Sequence, residues 1–221
     1  MAKPQITLYL DTVSPFAYMA YYVVRNSPVF KECEINYVPI FLGGVMKATG
    51  NRAPLEIKNK DKWISLERLR WAKQFNVPMT AEMPKGYPPI TMTTQRALCA
   101  LSQIAPEKVP DAIAALYHAF WVEGQKIEKP DVIEAVLGKA FTSDLAKRVM
   151  EATTSTEVKQ LLIANTEKAV KDGAFGLPWF VATNSKGEKE CFWGFDHLGQ
   201  VVDHLGLEKP NAESGGWKSM L

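Results

Sequence analysis

Hydrophobic and polar positions change period several times along the chain. Residues 5–10, QITLYL, place apolar side chains at Ile6, Leu8 and Leu10, the two-residue alternation of a strand. DTVSPF then reads as a turn into a helix. Ser14 takes the capping position, Pro15 the first helical position, and AYMAYYVVRN continues it. A second strand is predicted over 34–41, EINYVPIF, with Pro39 unfavourable near its end. This β-α-β stretch of roughly 40 residues has the size of one crossover unit. A Gly43-Gly44 turn and a short helix around VMKATG follow. From about residue 61 a helical period prevails, with Trp63, Ile64, Leu66, Leu69 and Phe75 on a helix that ends near Asn76, ahead of Pro78. A loop rich in proline and glycine fills 80–90. Further helices are predicted over 92–104, 108–124, 130–139, 142–151 and 155–172. After GAFGLP the strand period returns. WFVATN and KECFWG are two strands joined by an NSKGE turn, and FDHLGQVVDHLG is a last helix capped by Asp196. The tail, EKPNAESGGWKSML, is polar and glycine-rich and is expected to be loose.

This order divides the chain. Residues 1–45 and 173–208 form one discontinuous α/β unit, 46–172 an all-helical insertion, and 209–221 a C-terminal tail. A length of 221 residues with 47 % hydrophobic positions builds a core without disulfides or metals. With 26 basic and 24 acidic residues the net charge is +2, which gives no electrostatic reason to expect nucleic acid or a membrane surface as a partner. Cys33, Cys99 and Cys191 are odd in number, far apart and form no CxxC. Neither a disulfide framework nor a zinc site follows, and a reducing intracellular compartment is the simpler expectation. His118, His197 and His204 show no metal-ligand spacing, so no metal is expected. The N-terminus lacks an apolar signal core, so the chain is expected not to be secreted. Ser219-Met220-Leu221 has a faint likeness to a peroxisomal address, which leaves cytoplasm, mitochondrion and peroxisome open.

Three short motifs carry the chemistry. With the helical block removed, β-α-β followed by β-β-α resembles the thioredoxin plan. The fold class is therefore α/β, a thioredoxin-like fold with a large all-helical insertion. Such folds do sulfur chemistry where the first strand meets the first helix, and redox members carry CxxC there. Here the four positions read Ser14-Pro15-Phe16-Ala17, so dithiol exchange is excluded at this place. A hydroxyl remains at a helix N-terminus, where unpaired N–H groups and the helix dipole favour a thiolate or any other anion. A plain N-cap explains Ser14 equally well when it is taken alone. The second motif is GAFGLP (173–178), whose Pro178 stands where thioredoxin-like proteins carry a cis-proline facing the first helix. The backbone of Leu177 would then pair with an extended peptide ligand. An ordinary turn is the alternative. The third is Phe192-Trp193-Gly194-Phe195-Asp196-His197, where Asp196 is an anchor for an ammonium group, a helix cap, or both.

Taken together, DxxSPF, the helical block, GAFGLP and FWGxD resemble the kappa-class glutathione transferases and their relatives, the 2-hydroxychromene-2-carboxylate isomerases, over about residues 5–207. Both are similar in fold to the DsbA group. LGGVMKATGN (42–51) and GAFGLP resemble the kappa form, whereas ERLRWAKQFNVPM (67–79) is similar to both. The resemblance implies glutathione as cosubstrate, with Ser14 as the catalytic residue at its sulfur. Asn51 and Lys60 then lie at the glycyl end, Leu177 and Pro178 at the cysteinyl backbone, and Asp196 at the γ-glutamyl group, with Phe16, Phe195 and His197 beside them. Phe195 and His197 depart from the Ser-Asp-Arg or Asn-Asp-Arg of the family and weaken the γ-glutamyl contacts. Glu67 stands where the family often has an aspartate that belongs to the partner subunit's site.

The implied activity is glutathione transfer to small hydrophobic electrophiles, with glutathione-dependent hydroperoxide reduction as a further possibility and a homodimer as the implied assembly. Phe16, Phe41, Trp63 and Trp179 are candidates to line the electrophile pocket. Two other functions stay open: glutathione-dependent isomerisation of an aromatic acid, and a non-catalytic thioredoxin-like adaptor.

Overall fold

A computed structural model of the chain describes residues 2–209 and 215–220. The chain opens with β1 (Gln5–Leu10), α1 (Pro15–Asn26) and β2 (Glu34–Pro39). It continues through α2 (Leu42–Thr49), α3 (Lys60–Gln74), α4 (Met92–Ile104), α5 (Val109–Trp121), α6 (Pro130–Ala140), α7 (Ser143–Ala152) and α8 (Thr156–Lys171). It returns to the sheet with β3 (Trp179–Thr183) and β4 (Lys189–Trp193) and ends its regular elements with α9 (Leu198–His204).

The four strands lie in the order β2-β1-β3-β4. β1 is parallel to β2, with Leu8 opposite Tyr37, and antiparallel to β3, with Leu8 opposite Phe180. β3 and β4 form the antiparallel hairpin, Val181 opposite Cys191. β1 is covered on both faces: Ile6, Leu8, Tyr9 and Leu10 are all buried. Burial on both faces explains why an alternating pattern on the page becomes a fully enclosed strand in the fold. Tyr9 brings a phenol into the interior, and its hydroxyl donates to Asp172 at 2.7 Å, which also binds Lys168 at 2.9 Å. The end of the helical block is thereby tied to the central strand one residue before GAFGLP begins.

Three expectations need correction. Gly43 and Gly44 do not form a turn; α2 runs through them. A Cβ on Gly43 would approach the Phe41 ring to 2.9 Å, and one on Gly44 would approach Thr166 of α8 to 3.1 Å. The pair serves close packing, which local sequence does not separate from turn formation. The final helix is not capped by Asp196. A 3-10 turn over Phe195–His197 precedes α9, which starts at Leu198 with no side-chain cap. The tail is not loose throughout, because Gly215–Met220 form a 3-10 turn that buries Trp217 and Met220. Trp217 meets Phe75 at 5.5 Å and Phe30 at 6.1 Å between ring centres. Leu221 of the faint peroxisomal likeness lies outside the described residues.

Trp217→Ala is expected to cost about 3 kcal/mol, the usual loss for emptying a buried aromatic site. Urea unfolding measures it, and a loss below about 0.5 kcal/mol, the range of ordinary surface changes, would show that the turn adds nothing to the core.

Candidate functional site

The sheet register brings the three motifs together. Tyr9 of β1 faces Trp179 of β3, so the residues just beyond Leu10 run alongside those just before Trp179. The turn from β1 into α1 therefore lies beside Leu177–Pro178, whose peptide bond is cis as expected. The Pro178 carbonyl accepts from the Gly194 N–H at 3.0 Å, which holds the end of β4 and the following Asp196 against the same place. Among the described residues, no backbone hydrogen bond outside the helices and strands engages Leu177. Its N–H and C=O are free to pair with an extended ligand.

Ser14 is the N-cap of α1, with extended backbone at φ −88° and ψ 117°. Its Oγ accepts from the Ala17 N–H at 3.1 Å, which leaves the hydroxyl hydrogen available to donate elsewhere. Pro15 fixes the first helical φ where an N–H would have no helical partner anyway. Ser14 is buried to 6 % exposure at a positive helix end, a setting that favours a thiolate over a thiol.

Asn51 follows the left-handed Gly50 that ends α2. Its Nδ2 donates to the Phe175 carbonyl at 2.6 Å, so the stretch after α2 and the loop ahead of Pro178 are joined. Gly176 is required in that loop, since a Cβ there would approach the Trp193 ring nitrogen to 2.8 Å. Lys60 is exposed at the first residue of α3 and forms no salt bridge among the described residues. A cation at a helix N-terminus is unfavourable for the helix itself, and the same two charges attract an incoming carboxylate. Asp196 is well exposed, and its carboxylate lies 3.5 Å from His197 Nδ1 instead of capping a helix.

Other expected contacts fall elsewhere. The Phe195 side chain is in the core, edge-to-face with Trp71 at 5.4 Å and Phe75 at 5.1 Å. Only its backbone can serve a ligand. Trp179 is buried against Phe175, whereas Trp63 is 51 % exposed on the outer side of α3. Phe16 and Phe41 are half-buried. Glu67 binds Arg70 within its own chain at 3.1 Å.

Sequence reasoning gave no role to Asp11. Its carboxylate is fully buried beneath the Ser14 turn and has no ion-pair partner among the described residues. Oδ1 accepts from the Val13 N–H at 3.2 Å and from Gln95 Nε2 at 3.0 Å, and Oδ2 accepts from the Leu42 N–H at 2.9 Å. Gln95 Nε2 also donates to the Thr12 hydroxyl at 3.0 Å. From α5, Trp121 Nε1 donates to the Thr12 carbonyl at 3.0 Å and the Tyr117 hydroxyl to the Asp11 carbonyl at 3.3 Å. Burial pushes the Asp11 carboxyl from 3.8 up to about 6, against the pull of these donors. An acid three residues ahead of a Ser-Pro helix start is the only local signal of this arrangement.

The DsbA-like thioredoxin domain profile matches residues 5–206. The chain belongs to the DsbA-like thioredoxin family. Within it, glutathione S-transferase kappa 2 of Caenorhabditis elegans is 31 % identical over 94 % of this chain and 97 % of its own length. The 2-hydroxychromene-2-carboxylate isomerase of Sphingobium xenophagum is 27 % identical over 90 % of this chain and 97 % of its own. A solved 2-hydroxychromene-2-carboxylate isomerase superposes with a TM-score of 0.75 at 20 % identity, covering 91 % of this chain and 94 % of that one, a likeness of fold. The family group anticipated from DxxSPF, GAFGLP and FWGxD is thus the one these relatives represent. The start of α1, Ser14-Pro15-Phe16-Ala17, holds no cysteine in this chain.

The raised Asp11 pKa fixes a sign. An unfolded chain releases this proton near 3.8 and the fold near 6, so the contribution is full below the first value and is lost as pH rises to the second. The unfolding free energy of the protein relative to Asp11→Asn is expected to fall by about 3 kcal/mol between about pH 4 and about pH 7. A difference that stays flat across that window would contradict the burial of an ionising carboxyl.

Proposed function

We propose that this protein is a kappa-type glutathione transferase that holds glutathione as a thiolate at Ser14 for attack on small hydrophobic electrophiles. The observation that carries the reading is the convergence of the Ser14 turn with the cis Leu177–Pro178 bond in a site with no cysteine. A dithiol cannot form, so the reactive sulfur must come with the substrate.

The Ser14 hydroxyl, already oriented by the Ala17 N–H it accepts, donates its hydrogen to the sulfur. A charge-assisted bond of this kind contributes about 1.5–3 kcal/mol, equivalent to about one to two pKa units on the thiol. The free backbone of Leu177 pairs with the cysteinyl unit. Lys60 and Asn51 take the glycyl carboxylate, and Asp196 takes the γ-glutamyl ammonium. The thiolate attacks the electrophilic carbon, the leaving group departs with its electron pair, and a thioether is released. The kappa relative that matches across nearly its whole length supports this reading. A homodimer formed over the outer side of α3 is part of the same proposal, supported by Trp63 and Leu66, which leave 51 % and 56 % of their surface open to solvent.

The isomerase among the relatives sets the competing reading, in which the same sulfur adds and leaves reversibly. Chlorodinitrobenzene and hydroxychromene carboxylate, each with glutathione, separate the two. Turnover of the first is expected, and turnover of the second alone would overturn the transferase. Ser14→Ala is expected to lower kcat/KM for chlorodinitrobenzene by about ten- to a hundredfold. Because the residue is also a cap, the variant should lose about 1 kcal/mol of stability as well. Activity within twofold of the parent would remove Ser14 from the mechanism.

A further inference from the structure

The Asp11 carboxylate does something that neither strand ending nor turn formation requires. α2 has no cap of its own, because Phe41 at its N-cap position offers no side-chain acceptor. Its first N–H, from Leu42, is instead satisfied by Asp11 Oδ2, 31 residues away. The other oxygen, Oδ1, holds the Val13 N–H in the turn that presents Ser14. One carboxylate therefore links the start of α1 to the start of α2. At the far end of α2, about 12 Å away by helical rise, Gly50 turns the chain and Asn51 is delivered to the Phe175 carbonyl beside the cis-proline. The N-terminus of α4 closes the arrangement, with Gln95 on Oδ1 and the Thr91 side chain facing the same group.

We propose that Asp11 is a positioning residue of the glutathione site: by capping α2 and holding the Val13 N–H, it sets the separation between the Ser14 hydroxyl and Asn51, the groups at the sulfur and glycyl ends of one tripeptide. This rests on the reading of the site as a glutathione site. A buried anion without a cation is costly, and it persists here because helix N-termini and amides stabilise it in place of a counter-ion. The protein keeps this charge where an apolar residue would fill the space more cheaply but would release both α2 and the Ser14 turn.

The groups that face the carboxylate are known from each packed element. They are Val13 N–H from the turn, Leu42 N–H from α2, and Thr91 and Gln95 from α4. Tyr117 approaches from α5, and Tyr87 from the loop ahead of α4. Both phenols are held neutral by burial, Tyr87 at about 12 and Tyr117 far above its usual range. Among the groups named, only Asp11 changes charge near neutral pH. Its protonation turns one oxygen into an O–H donor and removes the negative charge that both the Leu42 and Val13 N–H groups stabilise, so the two tethers weaken in one step.

Two measurements test this. In nitrogen-15-labelled protein without glutathione, the amide signals of Val13, Leu42 and the Gln95 side chain are expected to shift together with one midpoint near pH 6, and Asp11→Asn should abolish the shift. Signals that move separately or not at all overturn the linkage. In kinetics, Asp11→Asn is expected to raise KM for glutathione about tenfold while kcat stays within about threefold, and to remove the fall in kcat/KM below about pH 6. A KM within twofold of the parent overturns the positioning role. If Asp11→Asn does not fold, Gln95→Leu takes its place. It removes one donor to the carboxylate and should move the acid limb to higher pH, and an unmoved limb overturns the proposal. A parent protein that neither binds nor turns over glutathione would sink the glutathione reading, while the amide titration still judges the link between Val13 and Leu42.

Discussion

The turn from β1 into α1 is buried, and the polar groups of Asp11 and Thr12 must find partners inside the protein. Asp11 and Thr12 are wholly buried, and Ser14 nearly so. An unpaired polar group in such a place costs about 1–3 kcal/mol, more when charged. The partners come from far along the chain: Leu42, Gln95, Tyr117 and Trp121. The helical block is therefore more than a cover over the sheet. Its α4 and α5 supply hydrogen bonds without which the turn could not be both buried and rigid. These bonds fix where the Ser14 hydroxyl stands at the start of α1.

Much of the architecture was legible in the chain itself. Strand alternation in QITLYL and WFVATN, the Ser14-Pro15 helix start and the proline after Leu177 each express a local rule, and each element formed where expected. Gly43-Gly44 misled because glycine serves turns and close packing alike, and only the approach of Thr166 tells them apart. Trp217 lay in a stretch of polar and small residues, yet a large apolar ring near an open aromatic cluster finds burial whatever its neighbours are. Asp196 looked like a cap because a helix follows it, but the intervening 3-10 turn moved the helix start to Leu198.

The site was legible in part. Ser14, Leu177, Pro178 and Asp196 converge because β1 and β3 are neighbours, which the strand order implied. Asn51 reaches the same place through α2, a connection visible only once the Phe175 carbonyl is found opposite its amide. Phe195 belongs to the core because its ring gains more by packing against Trp71 and Phe75 than by facing water. Asp11 escaped notice for a different reason. Its carboxylate bonds groups up to 84 residues away in sequence, and an acidic side chain after a strand carries no local mark of its distant partners.

The neighbours of β1 enter the chain at very different times. β2 follows at once, but β3 pairs with β1 across about 170 residues, after the entire helical insertion. During synthesis the central strand therefore waits with one edge unpaired while seven helices emerge from the ribosome. Such an edge invites pairing with other chains until its partner arrives. The loop that carries Pro178 and the turn that carries Asp196 both belong to the final quarter of the polypeptide, so the two sides of the candidate site meet only once the helical insertion has been made.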